Sequence, residues 1–205
     1  MESAGSTSVA RYGVELTAEA IGRLGRYYKI LKKWNPRMHL VAPCSPEEFA
    51  QRHVLESLML LPHLSQGARV ADIGSGAGLP IIPCLIARPD LNAILIESST
   101  KKAVFLREAL SVTQKAESAR VIADRFENIP APDVSFITSR ALDRFAETLP
   151  RLLEWSPPSS TLLLFGGEAL RPQLQNSGRS YTEIHVPGSE KRFLFVIEGT
   201  AAAST

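Results

Sequence analysis

With 205 residues the chain has room for one α/β domain and too little for two comfortable ones, and a globule of that size buries roughly 70% of its unfolded surface without a disulfide or metal staple. Its hydrophobic content of 44% is ordinary for a soluble globule, and its net charge of +2 excludes nucleic-acid binding through bulk charge, so any such role needs local clustering. No apolar run reaches membrane-spanning length, the start (residues 1–8) has no basic-apolar signal pattern, and Cys44 and Cys84 show neither metal nor framework spacing; a cytoplasmic protein with no membrane and no metal is expected.

Residues 1–15 read as a flexible N-terminus and 199–205 as a tail, leaving one domain over 16–198 with a helical extension (16–65) and an α/β core (66–198). The first helix lies between Arg11 and Arg37, with Thr17 as N-cap, Glu19 in the first turn and Asn35-Pro36 as its end. Ile21, Leu24, Tyr28 and Leu31 recur at helical spacing as a core face, with Trp34 near the end. Arg23, Arg26, Lys29, Lys32, Lys33 and Arg37 form a basic face, either solvated or in contact with phosphate. A second helix is expected over 46–61, capped by Ser45, with Phe49, Leu55, Leu58 and Leu61 turned inward.

From residue 69 strands and helices alternate. Strands are expected at 69–73, 93–97, 119–123, 133–138 and 161–165, and helices at 80–88, 99–115, 143–155 and 167–176. The runs 181–186 and 192–198 flank Pro187-Gly188-Ser189 as a hairpin. Short alternating elements make a parallel sheet covered on both faces. The fold class is therefore α/β: a Rossmann-like, seven-stranded, mostly parallel sheet with an antiparallel strand near one edge.

Between the first strand and its helix stands Asp72-Ile73-Gly74-Ser75-Gly76-Ala77-Gly78. Alternate glycines permit positive φ and close approach of backbone to a ligand. A dinucleotide fingerprint places its third glycine where Leu79 stands, so the form acid-x-Gly-x-Gly-x-Gly suits S-adenosylmethionine, which brings no pyrophosphate. Glu97, about twenty residues on at the second strand's tip, is placed to accept two ribose hydroxyls or to cap the turn Ser98-Ser99-Thr100. Ligands of open α/β sheets lie beyond the C-terminal strand ends, which selects 123–128, 138–141 and 165–167. Phe126 either flanks an adenine or fills core, and backbone N–H groups at 126–127 can read a base edge.

Beyond these readings, the chain resembles the RsmG (GidB) family. Arg52-His53-x-x-Glu56-Ser57-Leu58, Ala71–Pro80 around the glycine loop, Glu97-Ser98-x-x-Lys101-Lys102-x-x-Phe105-Leu106, Ser139-Arg140-Ala141 and the closing 192–197 carry the likeness, which spans 31–198. The resemblance implies a bacterial cytoplasmic enzyme that methylates N7 of a guanine in small-subunit (16S) rRNA with S-adenosylmethionine. It puts Gly74 and Leu79 at the cofactor, Glu97, Ser98 and Ser99 at the ribose, Phe126 and Glu127 at the adenine, and Arg140 at the methionine end and substrate. The chain departs from the family pattern at Phe165-Gly166 (usually Lys-Gly), at Ile81 (usually Gly) and at His39-Leu40-Val41 (usually Asn-Leu-Thr).

Guanine N7 already carries an in-plane lone pair, so no general base is needed and catalysis reduces to positioning and electrostatics. Arg140 is the expected substrate contact, donating to guanine O6 and leaving N7 free, or else a structural ion pair with Asp143 or Glu97. Arg52, His53, Lys101, Lys102 and Arg192 are the RNA-side candidates; the alternative is a packed or capping helical residue for His53, the usual role of a helical histidine, and solvated charges for the lysines and Arg192. The partner expected is 16S rRNA or a small-subunit precursor, met by a monomer. A small-molecule methyltransferase and a non-catalytic RNA-binding relative are the rivals.

Overall fold

The computed structural model describes residues 15–140 and 145–200. Helix α1 (Ala18–Met38) is capped as expected, Thr17 Oγ1 accepting the Ala20 N–H at 3.1 Å. It does not stop at Asn35-Pro36. Pro36 removes one N–H within the last turn, and the helix continues to His39, a left-handed cap with φ 47°. Asn35 holds the exit, its side chain pairing with both the N–H and the C=O of Val41 at 3.0 Å each. The buried face is Ala20, Tyr27, Ile30 and Leu31, with Leu24, Tyr28 and Trp34 partly covered, whereas Ile21 is exposed. Part of the basic face is structural: Arg26 donates to the Val112 carbonyl, Arg23 to Gln114, and Lys33 and Trp34 share Glu108.

Helix α2 (46–58) begins with a reciprocal capping box between Ser45 and Glu48. It turns π-helical over Ala50–Leu55 and ends at Leu58, short of the expected 61; Leu61 starts a separate 3₁₀ turn. The core then runs β1 (Arg69–Ile73), α3 (Ile81–Ala87), β2 (Asn92–Ile96), α4 (Thr100–Val112), β3 (Ala119–Ile122), β4 (Phe136–Ser139), α5 (Phe145–Trp155), β5 (Thr161–Gly166), α6 (Arg171–Asn176), β6 (Tyr181–His185) and β7 (Phe193–Ile197). The Asp143 end of the expected third core helix (143–155) lies outside the described residues.

The seven strands form one sheet in the order β3-β2-β1-β4-β5-β7-β6. All neighbours are parallel except β7, which is antiparallel to both β5 and β6. Side-chain alternation divides the core between the faces. Val70, Leu95 and Leu163 belong with α1 to α4, and Ala71, Ile73, Ile137, Leu162 and Leu164 with α5 and α6. The strand order reverses between β1 and β4, so a crevice opens there at the C-terminal strand ends.

Candidate active site

The glycine loop occupies that crevice. Gly74, Gly76 and Gly78 have φ of 67°, 51° and 82°, a region where a Cβ is strained. The Gly74 and Ser75 N–H groups donate to the Ile96 carbonyl at 2.9 and 3.2 Å, tying the loop to β2. Gly78 acts inward: a Cβ there would stand 2.3 Å from Ile82 Cδ1. From α1, the Tyr27 hydroxyl donates to the Ala77 carbonyl at 2.6 Å. Tyr27 is fully buried, and burial pushes its phenol far above the usual range, so it remains a donor.

Glu97 is buried at the tip of β2. One oxygen accepts the Gly76 N–H and the other the Ser99 N–H, both at 2.8 Å. Each oxygen keeps a further lone pair for a ligand hydroxyl. Ser99 in turn caps α4, its Oγ accepting the Lys102 N–H at 3.4 Å. Loop and carboxylate border a cavity of about 730 Å³, within the size range of small-molecule sites. Of the expected cofactor residues, Gly74, Gly76, Leu79, Glu97, Ser98, Ser99, Phe126, Glu127 and Arg140 line it; Asp72 and Gly78 do not.

Asp72 lies fully buried beneath the loop. Its Oδ1 accepts the Thr138 hydroxyl at 2.7 Å, its Oδ2 has no partner, and burial pushes the carboxyl up to about 7. Phe126 starts a 3₁₀ turn and meets Trp155 edge-on at 5.4 Å, so it both lines the cavity and closes core. Trp155 is fixed by donating from Nε1 to the Ile129 carbonyl at 2.8 Å.

At the other end of the cavity stands Arg140. Its Nη2 donates to the Arg52 carbonyl at 3.0 Å and to His53 Nδ1 at 2.8 Å. Its Nε lies 3.6 Å from Glu56 Oε1, and the second Glu56 oxygen accepts from Arg192 Nη1 at 2.5 Å. Among the described residues the acid paired with Arg140 is not Glu97, which is engaged by the glycine loop, but Glu56, only 2% exposed; the other expected partner, Asp143, lies outside the described residues. Burial pushes the Glu56 carboxyl up, against the pull of Arg140 and Arg192. His53 accepts at Nδ1, so it is neutral with its proton on Nε2; burial and three arginines hold its pKa down at about 4.

Sequence reasoning missed Glu56 and Tyr27 as site residues. Glu56 had a signal, a lone acid between Leu55 and Ser57-Leu58 on the inward side of a helix. Tyr27 had none, because its partner is fifty residues away. Among the RNA-side candidates, Arg52 and Lys101 are exposed, Lys102 lines the main cavity, and His53 and Arg192 hold internal partners. A second cavity of about 260 Å³, lined by Glu56, Arg140, Phe165, Gly166, Gly167 and Arg192, adjoins the first through Arg140. Among the described residues no group of three or more His, Cys, Asp or Glu is arranged to hold a metal, and no helix is long and apolar enough to cross a membrane.

Residues 20–192 match the family model described as GidB, rRNA small subunit methyltransferase G. The chain is 39% identical over 173 residues to the ribosomal RNA small subunit methyltransferase G of Sorangium cellulosum, covering 81% of this chain and 72% of that protein. It is 40% identical over 140 residues to the protein of the same name from Chromobacterium violaceum, covering 68% of this chain and 66% of that protein. In fold it is similar to an O-methyltransferase from Bacillus cereus solved in complex with SAH, with a TM-score of 0.61 at 16% identity over 85% of this chain and 90% of that one.

Proposed function

Because this chain belongs to the rRNA small subunit methyltransferase G family, we propose that it transfers a methyl group from S-adenosylmethionine to N7 of a guanine in small-subunit (16S) rRNA. It acts as one domain over 16–198, a cytoplasmic monomer working on the rRNA or a small-subunit precursor. One observation carries the proposal: a buried carboxylate, Glu97, closes the glycine loop over a cavity whose far wall is an arginine held by other side chains.

The residues fit the cofactor. Glu97 has free lone pairs for ribose hydroxyls beside Ser98 and Ser99, Phe126 and Glu127 flank the adenine, and Gly74 and Gly76 keep Cβ atoms out of the way. Leu79, at the place of a dinucleotide-binding glycine, lines the cavity and argues against a dehydrogenase. When bound, S-adenosylmethionine supplies an electrophilic sulfonium methyl. Asp72, beneath the loop, adds negative potential when ionised.

Arg140 serves the acceptor. Its guanidinium donates to guanine O6, leaving N7 free for attack, and with no proton to remove from N7 the site needs no base. Neutral His53, the Arg52 carbonyl and Glu56 fix the orientation of Arg140. His53 and Arg192 act first by holding Arg140 and Glu56, while Arg52, Lys101 and Lys102 offer charge to RNA phosphates.

Mass spectrometry of 16S rRNA from cells with and without the gene tests the proposal. Loss of one 7-methylguanosine on deletion, restored by the gene, is the expected result. An unchanged nucleoside profile, or failure of the purified protein to bind S-adenosylhomocysteine calorimetrically, rejects it.

A further inference from the structure

We propose that the smaller cavity receives the acceptor nucleobase, and that Glu56 and Phe165 make it a guanine pocket. This rests on the methyl-transfer function proposed above. The cavity lies at the tip of β5, between α2 and the turn leading into β7, and shares Arg140 with the cofactor cavity. A base seated there has one edge at Arg140 and so at the border with the cofactor. At about 260 Å³ it falls below the roughly 300–1,000 Å³ of sites for drug-sized ligands, a size suited to a single flat ring system.

Its walls suit a base taken out of its stack. Phe165, 4% exposed and otherwise packed in the core, is the aromatic residue that borders the cavity and could stack on a base. Gly166 and Gly167 leave bare backbone beside it, and at Gly166 no side chain can be added without displacing Leu170, whose Cδ1 would stand 2.3 Å from a Cβ. The polar groups match one base. Guanine presents O6 next to two donors, N1–H and the N2 amino group. A guanidinium donates to the first and a carboxylate accepts from the other two. Arg140 and Glu56 stand together in the cavity in that complementary pairing. Adenine reverses both contacts, setting its N6 amino group against the guanidinium and its N1 lone pair against the carboxylate.

The cluster has spare capacity for this. Each Glu56 oxygen bears one guanidinium and retains a second lone pair. Arg140 Nη1 is buried and donates to nothing, a cost that an incoming oxygen relieves after a small shift of the guanidinium. Arg192 balances the Glu56 charge from within the same cavity, so a cation remains there although Phe165 occupies the position where the family pattern has lysine.

Calorimetric titration of the full chain, saturated with S-adenosylhomocysteine, with GMP and then AMP tests the pocket. GMP is expected to bind about tenfold or more tighter than AMP. Glu56→Gln should erase that preference, and Phe165→Ala should weaken GMP by about fivefold or more. In both variants S-adenosylhomocysteine affinity should stay within about twofold, which also certifies folding. Absent GMP binding, equal affinity for the two nucleotides, or GMP affinity unchanged in both variants overturns the assignment. Transfer of labelled methyl to small-subunit rRNA reads the reaction separately. No transfer by the unaltered protein rejects the reaction, whereas transfer with KM for RNA and kcat unchanged in both variants rejects the pocket alone.

Discussion

The crevice is built in two different ways on its two sides. On the β1–β2 side, backbone does the work: Gly74 and Ser75 bond to Ile96, and Glu97 accepts from two backbone N–H groups. On the β4–β5 side, polar side chains do it, with charged Arg140, Glu56 and Arg192 and neutral His53 gathered from three distant parts of the chain. Backbone geometry around positive-φ glycines tolerates few alternatives, and Asp72 to Leu79 follow the family motif unbroken. The departures fall outside that loop, at Phe165 on the cluster side, at Ile81 just after the loop and at His39-Leu40-Val41, of which Leu40 and Val41 line the cofactor cavity.

The largest expected effect breaks the backbone side. Gly78→Val adds a side chain at φ 82° and directly into Ile82, combining a backbone cost of about 1–2 kcal/mol with overpacking of about 1–3 kcal/mol. The loop must move, and calorimetry should show S-adenosylhomocysteine affinity down by about 100-fold or more. Next comes the side-chain side. Arg140→Ala should slow methyl transfer to rRNA by about 100-fold while S-adenosylhomocysteine affinity stays within about threefold. Normal turnover of that variant would remove Arg140 from the reaction. A matching collapse of cofactor affinity would show that the two sides are not separable.

This division also explains what was legible in the sequence. The sheet, its helices and the glycine loop rest on local periodicity and on spacing, and they appear where expected, within a few residues. The ends that moved did so through contacts no local pattern encodes. Asn35 grips Val41 and carries α1 through Pro36, and the π-helical turn over Ala50–Leu55 has no local signature. Glu97 was readable because its distance from the loop is set by one βαβ unit. Glu56 stood out only as a lone acid on an inward helix face; its pairing with Arg140 and Arg192 was not readable, because it joins distant parts of the chain, the Arg192 contact across 136 residues. Ile21 looked inward by helical spacing, yet α1 turns Tyr27 and Ile30 to the core and leaves Ile21 at 58% exposure.

A smaller effect asks whether the helical extension helps to set the backbone side. Tyr27→Phe keeps the ring in its buried site and removes only the donor to the Ala77 carbonyl. Losing one such bond costs about 1 kcal/mol, so S-adenosylhomocysteine should bind about fivefold more weakly, with methyl transfer at saturating cofactor little changed. Unaltered affinity would mean that α1 only covers the loop.

The smallest effect separates charge from shape in the side-chain cluster. His53 has a folded pKa of about 4 against an ordinary 6.5. Between those values protons bind the unfolded chain in preference, so the stability owed to neutral His53 is complete above about pH 6.5 and is lost as pH falls toward 4. Asp72 works in the opposite sense: raised to about 7, it costs stability as pH climbs from 3.8 toward that value. His53→Asn offers an amide oxygen in place of Nδ1 and cannot take up a proton, and Asp72 is common to both proteins. The difference between their unfolding temperatures across pH 4 to 6.5 therefore isolates the histidine. The wild type should lose stability more steeply than the variant as the solution is acidified through that window. Parallel curves would show that His53 is protonated in the folded cluster, and that Arg140 is not held by a neutral acceptor.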